Sequence, residues 1–350
     1  MQEQTTTLAA VKPDVAGTNG PLSVAMAHED QPVGRSSAYR LLPELGALLV
    51  VLMWGSTFVL SKNAFEQFKP LAFTFVRFLA VTILAFGVLF ARSRMDRSRD
   101  YFHIERQHLP RLLTAGLFGF TFYQLGFTLG VDHTSAFASS LMLSMMPLIS
   151  LMLATILGRR PPTMVWVGVL VAIGGVTVFL LDGSGGSNTL GNVLSFGAAI
   201  SFALYSVINQ PLVRVYPPET FAAYSTLAGS VPLMLVSIPS VLQQDWGGLN
   251  THAWLILAYM VVFPVYVAYM LWNWVISQRG IAATGWQLLV PVISGLMAII
   301  WLHESLAAVQ VLGGALAILG LVIMRRAGMH QAARPQDMVV PAIRGTGKNE

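Results

Sequence analysis

Between Leu41 and Met324 the chain reads as ten apolar segments, and the second five echo the first. Pro147-Leu148-Ile149-Ser150 recurs as Pro291-Val292-Ile293-Ser294, and Gly168 and Gly175 recur as Gly313 and Gly320. One shift therefore carries a helix pair onto another. About 20 apolar residues cross a hydrocarbon core as a helix. The segments fall near 41–61, 70–91, 112–131, 134–157, 163–181, 190–210, 219–242, 252–276, 281–302 and 306–324. Such segments must be helical, because each backbone N–H and C=O has to be satisfied inside the segment. Five spans per half is an odd number, so the two copies enter the membrane in opposite directions. The expected fold is an all-α integral membrane protein of ten transmembrane helices, built as two inverted five-helix repeats.

Charge supports this reading. Apolar residues make up 55% of the chain and charged ones 11%, against roughly 25% charged in soluble domains. The pI near 9.6 suggests nucleic acid only until the charges are placed. With residues 1–40 in the cytoplasm, all but three of the 21 Lys and Arg fall on the cytoplasmic side; the exceptions are Lys62, Lys69 and Arg77. The positive-inside rule then puts both termini in the cytoplasm. The bilayer is the expected partner and nucleic acid is not. Residues 1–40 and 327–350 are expected to be disordered cytoplasmic tails. The first repeat is expected over 41–182 and the second over 190–326. Asp182-Gly183-Ser184-Gly185-Gly186-Ser187-Asn188 reads as a flexible connection between them. The arginine-rich stretch from Arg92 to Arg111 reads as a solvated loop against anionic headgroups.

Enzyme chemistry finds no footing. Cysteine is absent, which excludes disulfides and thiolate metal sites. No Gly-Lys-Ser/Thr phosphate loop, His-Glu-x-x-His pair or Gly-x-Ser-x-Gly elbow occurs, so neither a cofactor nor a metal is expected.

Trp54-Gly55-Ser56-Thr57-Phe58, then Pro70 and Arg77, resemble the opening of the EamA domain of the drug/metabolite transporter superfamily. Tyr123-Gln124 and Thr134-Ser135-Ala136 leading to Pro147 resemble its third and fourth helices. Leu271-Trp272-Asn273, Arg279-Gly280, Pro291, Glu304-Ser305 and Gly313 resemble the end of its second repeat. The resemblance covers about residues 41–326 and rests on order and spacing rather than on one motif. It implies carrier-type export of small metabolites, amino acids or drugs. One departure is Gly158-Arg159-Arg160, where the family often has Gly-Glu.

Arg77 is the sharpest candidate, because a charge inside the membrane faces a cavity or a partner. It can hold a substrate carboxylate by two hydrogen bonds, or serve structurally by snorkelling or bonding helix carbonyls. Trp54 and Thr57 share a face with Ser61; Tyr205 and Asn209 share one with Ser201; Tyr266 and Asn273 share one with Tyr269 and Ser277. With Tyr123, Gln124, Trp286 and Gln287 they are the expected substrate-binding set, since aromatics with polar tips suit an amphipathic ligand. Trp246, Trp254, Trp272 and Trp274 read as interfacial belt residues. Ser139, Ser140 and Ser144 read as interhelical hydrogen-bonders. Pro147 and Pro291 are expected to kink their spans, as matched hinges. Glu44 is the candidate for proton handling, with an interfacial anchor beside Arg40 as its alternative.

A secondary transporter acting on a small solute by alternating access is the reading these features favour, located in a bacterial inner membrane. A channel or a non-transporting sensor or structural protein is the alternative. Glycine faces leave a homodimer open.

Overall fold

The structure is a computed structural model that describes residues 37–98, 100–158, 161–181 and 188–332. Expectations for residues 1–36, Arg159-Arg160, 182–187 and 333–350 lie outside the described residues. Among the described residues there is no β-strand, and nine helices are long and apolar enough to cross a membrane. We number the spans α1 (Leu41–Phe65), α2 (Pro70–Met95), α3 (Arg106–His133), α4 (Ala136–Ile156), α5 (Thr163–Leu181), α6 (Thr189–Ile208), α7 (Pro218–Leu242), α8 (Thr251–Arg279), α9 (Gly285–Trp301) and α10 (Ala308–Gly328). The tenth, α9, is a shorter apolar helix. Helical backbone begins at Ser37 and runs on to Ala332, a few residues into both tails expected to be disordered. With ten crossings, the start of α1 and the end of α10 share one face of the bundle, called here the terminal face. The other is the far face.

The inversion is visible in how α5 meets α10. Gly168 lies against Gly320 and Met324, and Gly175 against Gly313 and Ala317. Sequence equivalence pairs Gly168 with Gly313 and Gly175 with Gly320, yet each contacts the other's equivalent. That reciprocal pattern is the mark of a two-fold axis, and it requires the equivalent helices to run antiparallel. The same axis relates other pairs. α2 and α7 cross antiparallel, with Arg92 Nε 3.1 Å from Glu219 Oε1 at one end and Lys69 N donating to Gln244 Oε1 (2.6 Å) at the other. Gly126 and Gly130 of α3 pack on Ala198 and Ser195 of α6. Gly46 of α1 packs on Leu271, Trp274 and Val275 of α8, the equivalent helix pair in the other half.

Lipid gives apolar side chains no reason to face inward, so small and hydroxylated residues fill the interior. Thr74 and Thr128 join α2 to α3 at 2.8 Å, Thr121 donates to Gly229 O across to α7 at 2.7 Å, and Ser139 meets Ser195 at 2.8 Å. Ser140 and Ser144, expected to act between helices, instead bond to Phe137 O and Leu141 O in their own helix, the local alternative open to any helical serine.

The stretch after α2 is not merely solvated. Tyr101 is 4% exposed, its carbonyl accepts from Thr220 Oγ1 (2.9 Å), and Phe102 O accepts from Tyr224 Oη (2.9 Å). Those bonds staple the connection to the start of α7. The Tyr101 hydroxyl donates to Asp96 (2.9 Å), and that bond pushes its pKa up.

A Cβ on Gly175 would sit 2.2 Å from the Ala317 backbone nitrogen, whereas one on Gly174 meets nothing within 4 Å. Gly175→Ala is therefore expected to destabilise the bundle by about 1–3 kcal/mol. Gly174→Ala should be neutral. Melting of the two variants in detergent, side by side, checks the difference.

Candidate functional site

Apolar helices in a bundle are uniform unless something interrupts them. Here the interruptions come in matched pairs. α3 contains a π-helical turn at Leu117–Phe122, and α8 contains one at Phe263–Val267. Each inserts a residue and re-aims the face that follows, a device common at functional sites. The shift that carries Leu117 onto Phe263 carries Tyr123 onto Tyr269. α4 is broken at Ser144-Met145 and restarts as Met146–Ile156, while α9 opens within a 3-10 stretch, Gly280–Leu289, and turns α-helical at Val290–Trp301. Pro147 and Pro291 both lie in the first turn of the restarted helix. They were expected as mid-helix kinks. Instead they open helical segments, where the missing N–H removes no bond and the fixed φ suits a first turn.

Around these interruptions the expected site residues divide into two groups. The first is built on α2, α3 and α6. Arg77 is 8% exposed, so it does not snorkel, and its Nε has no hydrogen-bond partner. Its guanidinium carbon lies 5.6 Å from the Phe78 ring centroid, and the Tyr123 hydroxyl is within electrostatic range of it. An aromatic wall extends from there. Phe78 meets Phe120 at 6.4 Å, Phe120 meets Tyr205 at 6.0 Å, and Tyr205 meets Phe202 at 5.5 Å, with Tyr123 5.2 Å from Phe202. Asn209 and Ser225 stand beside the Tyr205 hydroxyl. Arg77, Tyr123, Tyr205 and Asn209 are thus brought together. The glycine that permits this is Gly119, whose absent Cβ would lie 2.5 Å from the Tyr205 ring.

The second group sits on α1, α8 and α9. Trp54 packs 5.5 Å from Trp272 and donates through Nε1 to Pro264 O, in the α8 π turn, at 3.2 Å. Thr57 is buried and donates back to Trp54 O. Trp286 Nε1 donates to Glu44 Oε2 (3.0 Å), and Glu44 Oε1 is 2.9 Å from Arg279 Nη2. Glu44 thereby joins α1 to α8 and α9. Trp272, expected in a belt, is 6% exposed and belongs to this interior cluster. Trp246 and Trp254 stay part-exposed, stacked 6.3 Å apart.

Several expected residues join neither group. Tyr266 donates to Val81 O (3.3 Å) and ties α8 to α2. Asn273 is exposed. Gln124 is buried and Gln287 half-buried. A cavity of about 490 Å³ opens between α4, α5, α6 and α10, with Pro147, Ser150 and Arg325 in its wall. None of the expected substrate-binding residues lines it. Among the described residues, no cluster of His, Asp or Glu suits a metal ion.

Gly119→Ala is expected to push the Tyr205 ring aside, with a destabilisation of about 1–3 kcal/mol. The double change Gly119→Ala/Tyr205→Ala should be no less stable than Tyr205→Ala alone. A thermal-melt double-mutant cycle reads this coupling directly.

Comparison with known proteins matches the whole membrane region of the chain. The EamA-like transporter family matches residues 41–181 and 189–326. An uncharacterized transporter of Archaeoglobus fulgidus is 26% identical over 280 residues, spanning 79% of this chain and 96% of its own. A probable terminal-alkyne amino-acid exporter of Streptantibioticus cattleyicolor is 25% identical, spanning 80% of this chain and 92% of its own. The uncharacterized inner membrane transporter YedA of Escherichia coli is 25% identical, spanning 87% and 97%. A crystal structure at 20% identity covers 83% of this chain and 98% of its own with a TM-score of 0.57, a shared fold.

Proposed function

Because the chain belongs to the EamA-like transporter family, we propose that it is a secondary transporter working by alternating access on a small amphipathic solute with an anionic group. An amino acid or a related metabolite ranks first. Arg77 carries the reading. A buried cation with no described hydrogen bond or ion pair is costly, and a substrate carboxylate supplies what it lacks through paired charged hydrogen bonds. Tyr123, Phe202 and Tyr205 offer an aromatic wall to the apolar part of such a solute. Trp54, Thr57, Trp286 and Gln287 complete the lining from the facing helices, and Gln124 from α3, as the solute moves. The exporter name of one relative supports both outward direction and the amino-acid class.

The two repeats, 41–182 and 190–326, rock against each other about the site between them. The breaks at Pro147 and Pro291 are the hinges, being irregular backbone at corresponding positions of both halves. The terminal face is cytoplasmic, on the positive-inside argument, and the membrane is the bacterial inner membrane, as the name of the Escherichia coli relative indicates. The Gly168/Gly175 and Gly313/Gly320 faces are occupied within the chain, so they no longer argue for a homodimer.

A charged hydrogen bond contributes about 1.5–3 kcal/mol, so Arg77→Gln should weaken carboxylate binding about tenfold or more. Thermal shift of the purified protein against an amino-acid and carboxylate panel reads the binding. Counterflow in proteoliposomes reads the transport, and it should saturate. Flux that rises linearly with concentration would indicate a channel. Equal affinity in Arg77→Gln would remove the carboxylate from the account.

A further inference from the structure

The far face carries a cluster of charge that the substrate site does not use. It centres on the turn between α3 and α4, at Thr134-Ser135. Lys62, near the end of α1, donates through Nζ to Thr134 O and to Val131 O. Those carbonyls belong to the C-terminal end of α3, where the helix dipole favours a cation. Glu304, in the turn between α9 and α10, accepts the Ala136 N–H through Oε1 at 2.9 Å. That N–H opens α4, where the dipole favours an anion. One short turn of the first repeat is thus held by a cation from α1 and an anion from the second repeat.

Local backbone geometry and charge set Glu304 against this turn. His303 has φ +52°, a left-handed conformation uncommon for a residue with a Cβ. This turn returns the Glu304 N–H to Ala298 O (3.1 Å) and directs the side chain toward α4. Glu304 Oε2 is buried with no hydrogen bond. Lys62 feels the Glu304 and Asp132 charges, and Asp132 in turn lies 3.4 Å from His133. Ser294 Oγ adds a bond from α9 to Ala136 O (3.3 Å).

We infer that Lys62 and Glu304 form an electrostatic clamp that holds the far face shut, and that its release is the step that opens this face during transport. The inference rests on the alternating-access reading. Both residues are positioning residues: they touch the α3–α4 turn, not the solute. The clamp is suited to release because its bonds reach backbone groups of helix ends, which solvent can satisfy once the face opens.

The test uses the natural absence of cysteine. Thr57→Cys places one reporter thiol on the interior face of α1. Sealed right-side-out and inverted vesicles are exposed to an impermeant maleimide. Glu304→Ala is expected to speed labelling from the far face about tenfold, the equivalent of about 1.4 kcal/mol, and to slow labelling from the terminal face. Glu304→Gln, which keeps an acceptor for the Ala136 N–H, should restore part of the closed behaviour. Lys62→Met should act in the same direction as Glu304→Ala and guards against a Glu304 variant that fails to fold. Far-face labelling that is unchanged in both folded variants, or raised equally from both faces, overturns the clamp. The labelling needs no substrate. Failure of counterflow by the cysteine-free parent chain, with the labelling pattern intact, would therefore count against the solute proposal alone.

Discussion

Backbone-on-backbone contact between α5 and α10 is the interaction on which the rest of this structure depends. Gly168 and Gly175 meet Gly320 and Gly313 with no side chain between them. Such close approach is what dispersion needs when lipid supplies no hydrophobic drive. It also settles orientation, because only antiparallel equivalents bring each glycine against its partner's counterpart. Once α5 and α10 are so joined, the remaining pairs follow the same axis: α2 beside α7, α4 beside α9, and α3 on α6 as α8 on α1. The facing interior is shared by both repeats, and the π turns and helix breaks of the two halves interrupt it.

α1 is held at both its ends by the other elements of this interior. Near the terminal face Glu44 bridges to Arg279 and Trp286. Near the far face Lys62 grips the end of α3. Between them Gly55 lies against Ile293 and Ser294 of α9, with 2.8 Å to the Ile293 side chain from where a Cβ would stand. A helix pinned by charge at two faces and by close packing in the middle is well placed to relate the state of one face to the other. Such coupling needs a two-state element that both faces bias, and the rocking of the two repeats is that element in the proposed mechanism.

Much of this was legible in the residues. Composition and segment length announced the spans, because twenty apolar residues leave few alternatives to a membrane helix. The Pro-x-x-Ser and glycine echoes announced the repeat, because glycine and proline are chosen for backbone reasons that survive divergence. Arg77 stood out as a charge within an apolar run, and the structure buries it. The π turns were not legible, since an apolar stretch reads alike in α and π geometry. Tyr266 lies inside the α8 π turn and bonds to Val81 O, so it leaves the set in which it was expected. Trp272 misled because belt and interior use the same residue types. Tyr101 and Glu304 act through distant partners, which periodicity does not reveal.

The inversion is the central claim, and sided labelling tests it most directly. Ser98, after α2, and Gly247, after α7, are exposed and occupy equivalent connections of the two repeats. Each is replaced singly by cysteine and exposed to an impermeant thiol reagent in vesicles of known orientation. Inverted repeats require the two positions to react from opposite sides of the membrane. Reaction of both from the same side would mean parallel copies, and the shared interior built around Arg77 would have no basis.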